Sequence, residues 1–215
     1  RSSALHRPEG EAHWYCHDSL CPWQIKRRLE HFASRDAMDI DGLGEKAIAQ
    51  FVEAGLLTSI ADIYALPSRR EEILMLDRWA PKSAERLIAG IEKSKQQPYQ
   101  RVLYALGIRY VGEGVAKILA KAFPSIDALM RATHEELTNV NDIGDAIAES
   151  VVAYFAEPDN AQEIEVLQRA GLCFEGEAPL HTSQTFTGMT FVFTGELTTM
   201  TRREAEEIEI GRAHV

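Results

Sequence analysis

The sequence predicts a mainly α fold built from tandem helix–hairpin–helix repeats, and three observations predict it. Four times a short turn interrupts an amphipathic helical pattern, and three of those turns end in Gly just before a new helix. The copies are Ile40-Asp41-Gly42-Leu43-Gly44-Glu45-Lys46, Arg78-Trp79-Ala80-Pro81-Lys82-Ser83, Arg109-Tyr110-Val111-Gly112-Glu113-Gly114-Val115 and Val140-Asn141-Asp142-Ile143-Gly144-Asp145. They recur at roughly thirty- to forty-residue intervals, which signals stacked supersecondary units. Finally, only one segment, Thr190 to Gly195, carries a strong strand pattern.

Residues 1 to 24 lack periodicity and are rich in His, Trp, Cys and Pro, as a small loop-built module would be. A helical stripe then begins with Ile25, Leu29 and Phe32. Ala47, Ile48, Phe51, Val52 and Leu56 form the helix face after the first hairpin, with Gly55 at its end. Ile60 to Leu66 reads as a short helix stopped by Pro67. Ala84, Leu87, Ile88 and Ile91 follow the second hairpin, and Ala116, Ile118, Leu119 and Phe123 follow the third, stopped by Pro124. Ala146, Ile147, Val151, Val152 and Phe155 follow the fourth, and a last helix runs from Asp159 to Ala170 before Gly171. The block 25–174 is therefore expected to be one helical domain with four hairpins. Residues 175–188 have linker chemistry. Residues 189–208 read as a strand and the first turns of a helix, and 209–215 follow no pattern and read as a non-native tail resembling translated adapter sequence.

A helix, a tight Gly-x-Gly turn and a second helix can grip phosphate with backbone. The first N–H groups of a helix lack intrahelical partners and carry the positive end of its dipole. An anion fits there without a basic side chain, and glycine removes the Cβ that would hold it away. Such contacts hold a nucleic-acid backbone and carry no sequence information. A single Gly-Leu-Gly could equally be a helix C-cap and turn; repetition favours the phosphate reading. The net charge of −10 excludes coating of nucleic acid by bulk charge but leaves backbone amides available. Basic clusters at Lys26, Arg27 and Arg28, and at Arg101, Arg109, Lys117 and Lys121, are expected to be solvated helix faces. The second hairpin, without Gly, is expected to pack rather than bind. No apolar run is long enough to span a bilayer, and three cysteines fit a reducing cytoplasm.

Cys16 and Cys21, with His13 and His17 beside them, favour a metal over a disulfide. A structural zinc site needs four ligands, however, and only two thiols stand together. Cys173 reads as an ordinary core residue.

The run Glu9-Gly10-Glu11-Ala12-x-Trp14-x-Cys16, then Cys21-Pro22, then Ser34-Arg35-Asp36-Ala37-Met38-Asp39-Ile40-Asp41-Gly42-Leu43-Gly44, closely resembles bacterial NAD-dependent DNA ligase. Leu106-Gly107-Ile108-Arg109-x-Val111-Gly112-Glu113, Ala148-Glu149-Ser150 and Phe191-Val192-Phe193-Thr194-Gly195 resemble later signatures of the same enzyme. The resemblance implies the second half of a zinc finger in 1–24, with Cys16 and Cys21 as zinc ligands, a helix-hairpin-helix DNA-binding domain in 25–174, and a truncated α/β BRCT domain in 189–208. It implies a monomer that binds nicked double-stranded DNA in replication and repair. In that family a lysine takes AMP from NAD, AMP passes to the 5′-phosphate at a nick, and the 3′-hydroxyl displaces it. The lysine lies in a Lys-x-Asp-Gly motif that does not occur here, so no catalytic residue is expected in this chain, and the NAD and magnesium sites are expected elsewhere. Gly42, Gly44, Lys46, Arg109, Gly112, Gly114 and Gly144 are the expected DNA-contacting residues. Asp142 stands where the family has a first Gly and sets a carboxylate near the expected phosphate, so hairpins one and three are favoured over four. The alternative is a stand-alone helix-hairpin-helix module without an enzyme.

Overall fold

The computed structural model describes residues 5–7, 15–16 and 21–176. The chain divides after Gly176; the strand and helix expected within 189–208 and the tail lie outside the described residues. A two-residue antiparallel ladder, β1 (Leu5–His6) and β2 (Tyr15–Cys16), pairs Leu5 with Cys16 and His6 with Tyr15. Among the described residues everything else with regular structure, apart from one isolated bridge, is helical, as the periodicity requires.

The first helix, α1 (Pro22–Ala33), opens on Pro, whose missing N–H would have been an orphan at that position. It buries Leu29, Phe32 and Ala33. Next comes α2 (Glu45–Glu53), ended by Gly55 at φ 71° with the N–H groups of Gly55 and Leu56 returned to the carbonyls of Val52 and Phe51. That paired return is the Schellman stop, and it needs the left-handed conformation glycine tolerates. Gly171 (φ 93°) stops the last helix in the same way.

A 3-10 helix, Ala61–Arg69, joins α3 (Arg70–Leu74). Here the expectation that Pro67 stops the helix is corrected: the 3-10 turns run through it. Proline's fixed φ suits a helical turn, and the missing donor interrupts only a short run of weak bonds. The remaining helices are α4 (Pro81–Ser94), α5 (Tyr99–Ala105), α6 (Glu113–Ala122), α7 (Ile126–Arg131), α8 (His134–Thr138), α9 (Asp145–Ala156) and α10 (Pro158–Arg169). The short α7 was not anticipated; Ser125 caps it by accepting from the Ala128 N–H.

One apolar core runs from Leu29 to Phe174 and takes side chains from all four hairpin units. The helix α10 closes it, burying Ile164 and Leu167. Its Glu163 carboxylate accepts from Arg28 of α1 at 2.8 Å and from the Ile60 N–H at 3.0 Å. Three elements distant in sequence are thereby tied at one largely buried side chain. Glu175 and Gly176, read from composition as the start of a linker, are part of this block. Glu175 bridges Ser125, and the Gly176 N–H donates to the Pro124 carbonyl at 2.8 Å. Among the described residues no helix is long and apolar enough to cross a membrane.

Candidate nucleic-acid interface

The four hairpins share one backbone. The carbonyls of Ile40, Leu76, Ile108 and Val140 accept from the N–H groups three residues on, at Leu43, Trp79, Val111 and Ile143, over 3.2, 3.3, 3.0 and 3.1 Å. The third residue of each turn has positive φ: 87° at Gly42, 65° at Arg78, 64° at Tyr110 and 67° at Asp142. Positive φ at that position alone, with this hydrogen bond, is the type II arrangement. The residue after the turn, Gly44, Ala80, Gly112 or Gly144, is an extended N-cap to α2, α4, α6 or α9.

This register corrects the Gly-x-Gly reading of the third hairpin. Gly112 corresponds to Gly44, Tyr110 corresponds to Gly42, and Gly114 lies inside the first turn of α6. The fixed feature is an apolar pair three apart, not a glycine pair. Ile40 and Leu43, Ile108 and Val111 are buried in the core, as is Ile143, while Leu76, Trp79 and Val140 pack against it. Asp142 leaves the backbone of hairpin four like that of the others. The turn asks only for positive φ, which Asp adopts more readily than most residues.

At three of the four N-termini neither backbone angle nor space demands the glycine. Gly44, Gly112 and Gly144 have φ of −87°, −78° and −89°, which any residue adopts. A Cβ added at any of them would meet nothing within 4 Å. No side chain caps these helices, which leaves their first N–H groups without a side-chain acceptor. The second hairpin provides the contrast within the same chain. Its N-cap is Ala80, whose N–H donates to Ser83 Oγ at 2.9 Å, and its first helical residue is Pro81, which has no N–H. Trp79 stacks on Phe51 with ring centroids 4.9 Å apart and donates from Nε1 to Gln50 Oε1 at 2.8 Å. With proline at its first position that helix offers one N–H fewer than the other three, and its hairpin packs.

Hairpin one is the most firmly buttressed. Arg86 of α4 grips the Asp41 carboxylate with two bonds of 2.6 and 2.7 Å, and the hydrogen bond from Arg86 holds the Asp41 carboxyl below its ordinary range. Arg101 of α5 donates to the carbonyls of Ala37 (2.7 Å) and Arg35, and His31 Nε2 lies 2.8 Å from the Tyr104 carbonyl. The loop carrying Ser34 to Asp39 is thus held by the first helix of hairpin three. An open cleft beside this hairpin is lined by Arg35, Asp39, Asp41, Gly44, Glu45 and Lys93, a mixture of both charges.

Lys46 is exposed in the first turn of α2. Arg109 is exposed at the tip of hairpin three, its guanidinium 4.7 Å from the centre of the Tyr110 ring. Four further basic residues pair with carboxylates: Lys26 with Glu53, Arg27 with Glu30, Arg28 with Glu163 and Lys117 with Glu113. Arg101, expected on a solvated face, is half-buried against the loop carbonyls. Each of the three glycine-capped helices also begins with a carboxylate, Glu45, Glu113 or Asp145. Glu113 is offset by Lys117 at 3.3 Å and Asp145 faces His134 at 3.6 Å.

Sequence reasoning did not single out Gly90, Arg86 or Tyr110. The signal for Gly90 was present, since an isolated glycine inside a helical pattern often marks a close backbone approach. As for zinc, Cys16 ends β2 and Cys21 is the half-buried N-cap of α1. The side chains of Cys16, His13 and His17 lie outside the described residues. Among the described residues no three metal-ligating side chains cluster. Two thiols alone do not complete a tetrahedral structural site.

Residues 101–164, which contain hairpins three and four, match the family model described as "Helix-hairpin-helix motif". The chain is 48% identical over 209 residues to a DNA ligase of Christiangramia forsetii, covering 96% of this chain and 31% of the relative. It is 46% identical over 210 residues to a DNA ligase of Phocaeicola vulgatus, with the same coverage. It is 44% identical over 214 residues to a DNA ligase of Acidobacterium capsulatum, covering 99% of this chain and 31% of the relative. The chain therefore spans about a third of the length of the relatives it matches. By similarity along nearly all of its residues, and by its helix-hairpin-helix motif, it belongs with the bacterial DNA ligases, as the counterpart of 31% of their length.

Proposed function

We propose that this chain is the part of an NAD-dependent DNA ligase that grips the sugar–phosphate backbone of nicked duplex DNA, as a monomer and without reading sequence. The observation that carries this reading is the set of three helix N-termini, at Gly44, Gly112 and Gly144, with uncapped N–H groups and no side-chain bulk in front of them. Each can receive one phosphate oxygen, supported by the helix dipole. Lys46 adds a charge beside the first. Hairpin two, whose helix opens on Pro81 without an N–H, serves as the buttress for hairpin one.

This division of labour suits an acidic protein. Few counterions are displaced when backbone amides make the contacts, so affinity should depend only shallowly on salt. The carboxylates that open α2, α6 and α9 hold the attraction down, which lets the grip release after sealing. NAD, magnesium and the AMP-accepting lysine are assigned to other parts of the ligase, because no Lys-x-Asp-Gly sequence occurs in these 215 residues. Zinc is assigned to Cys16 and Cys21 only together with two further ligands.

Fluorescence anisotropy of the purified chain against nicked and intact duplex across a salt series tests the reading. Salt-dependent binding with a shallow slope is expected, lost in Gly44→Val and Gly112→Val while the helical signal persists. No binding even at low salt would reduce the hairpins to scaffolding.

A further inference from the structure

The third residue of every hairpin turn must adopt positive φ, and the four hairpins fill it with Gly42, Arg78, Tyr110 and Asp142. Such unrelated side chains show that folding fixes only the backbone angle there. Tyrosine is a poor choice for that angle, because its Cβ disfavours the left-handed region that Gly, Asn and Asp tolerate. Yet Tyr110 holds φ 64° and is 51% exposed, outside the residues packed on the core. Its ring carries the Arg109 guanidinium at 4.7 Å. A large aromatic kept at the surface, on a backbone angle it resists, is not accounted for by the fold.

Its position is informative. Tyr110 stands two residues before Gly112, and two residues span at most about 7 Å. Phosphates on one strand follow each other every 3.4 Å or so along the duplex axis. A ring at Tyr110 therefore reaches the nucleotide flanking any phosphate seated at the α6 N-terminus. Resting on the DNA-gripping reading above, we propose that Tyr110 is a direct DNA contact, its ring lying against the deoxyribose wall of that neighbouring nucleotide while Arg109, aligned by the ring, reaches the next phosphate. Sugar carbons offer an apolar face that is the same at every base pair, so the contact adds affinity without sequence preference. It also releases no counterion. Hairpin three then differs from hairpins one and four, whose tips carry Gly42 and Asp142, in making an apolar contact beside its phosphate contact.

The test is anisotropy with the full chain and a nicked duplex over a salt series, using Tyr110→Gly, Tyr110→Phe and Arg109→Gln beside Gly112→Val. Tyr110→Gly should bind about tenfold more weakly, by the scale of aromatic contacts to nucleotides, with an unchanged salt slope. Its melting temperature should equal or exceed that of the parent, because glycine takes this φ without strain. Tyr110→Phe should bind within about twofold of the parent, since ring and not hydroxyl makes the contact. Arg109→Gln should lower the salt slope by about one. If Tyr110→Gly binds like the parent while Gly112→Val does not bind, the tyrosine contact is refuted and the hairpin grip stands. A weaker-binding Tyr110→Gly that also melts lower marks a structural role and refutes the contact. Failure of the unmutated chain to bind at low salt refutes both readings.

Discussion

The helix α4 approaches hairpin one so closely at Gly90 that a Cβ there would lie 2.5 Å from the Asp41 carbonyl oxygen and 2.9 Å from its nitrogen. Both neighbours are backbone atoms of the turn, so neither can swing away. The Arg86–Asp41 pair joins the same two elements, but both side chains are more than half exposed, where ion pairs contribute little. The close approach at Gly90, more than the ion pair, sets where hairpin one sits.

Gly90→Ala should therefore destabilise the protein despite alanine's better helix propensity. Propensity favours Ala by at most about 1 kcal/mol, while overpacking against fixed neighbours costs about 1–3 kcal/mol. Urea denaturation of the two proteins decides it. Gly114→Ala is the matched control: it too lies in a helix, and no atom outside that helix's own backbone lies within 4 Å of the added Cβ. It should gain up to about 1 kcal/mol. A Gly90→Ala protein as stable as the parent would mean that α4 can shift.

The N-cap glycines lead to a prediction in which stability and binding separate. Ala80 shows that this fold accepts a Cβ at the N-cap position. Gly44→Ala and Gly112→Ala should consequently cost no more than about 1 kcal/mol of stability, the margin by which Gly exceeds Ala as an N-cap. Both should weaken DNA binding, because the methyl group stands where a phosphate would approach. Gly144→Ala should do the same if hairpin four binds, as its shared backbone suggests. Unchanged affinity in all three would show that these glycines do not face DNA.

Glu163 is the next place to look, because its carboxylate is 9% exposed and serves two partners. Glu163→Ala leaves the Ile60 N–H without an acceptor and frees Arg28 from its partner. The unsatisfied donor alone costs about 1–3 kcal/mol. Glu163→Gln keeps an oxygen for Ile60 while losing the charge opposite Arg28, and should fall between the two. Thermal melts of the three proteins check the order; Ala and Gln variants of equal stability would place the whole effect in the ion pair.

The helical architecture was legible because each segment carries its apolar stripe at helical spacing, from Leu29 and Phe32 to Ile164 and Leu167. The hairpins were found through glycine, and that signal misplaced the third. Gly112 and Gly114 imitate Gly42 and Gly44 in spacing, whereas the structure is governed by Ile108 and Val111, which plug the core as Ile40 and Leu43 do. An apolar-x-x-apolar-small pattern would have aligned all four turns, including the glycine-free second. The basic residues were hidden differently. Arg101 and Arg28 find partners 66 and 135 residues away in sequence, and no local pattern reports a contact of that range. Pro67 was misread because proline is compatible with the helical φ that a 3-10 run requires.

Asp62 gives the clearest dependence on pH. Burial pushes its carboxyl upward, but one oxygen accepts from the Thr58 N–H (2.8 Å), the Thr58 hydroxyl (2.7 Å) and the Ser59 N–H (2.8 Å), and together these bonds bring it below its ordinary value. A carboxylate depressed in the folded state stabilises fully above its unfolded pKa, about 3.9. That contribution is lost as pH falls through the lower folded value. Stability attributable to Asp62 should thus be constant from neutral pH down to about 4 and decline beneath it. Asp62→Asn keeps an acceptor oxygen but cannot carry the charge, so it should be less stable than the parent at pH 7. The difference should shrink at pH 3, below the ordinary carboxyl value, where the unfolded parent takes up a proton that its folded state resists. Urea denaturation of both proteins at the two pH values measures this directly. A difference that stays the same at pH 3 and pH 7 would mean that the three donors are satisfied equally well by a neutral side chain.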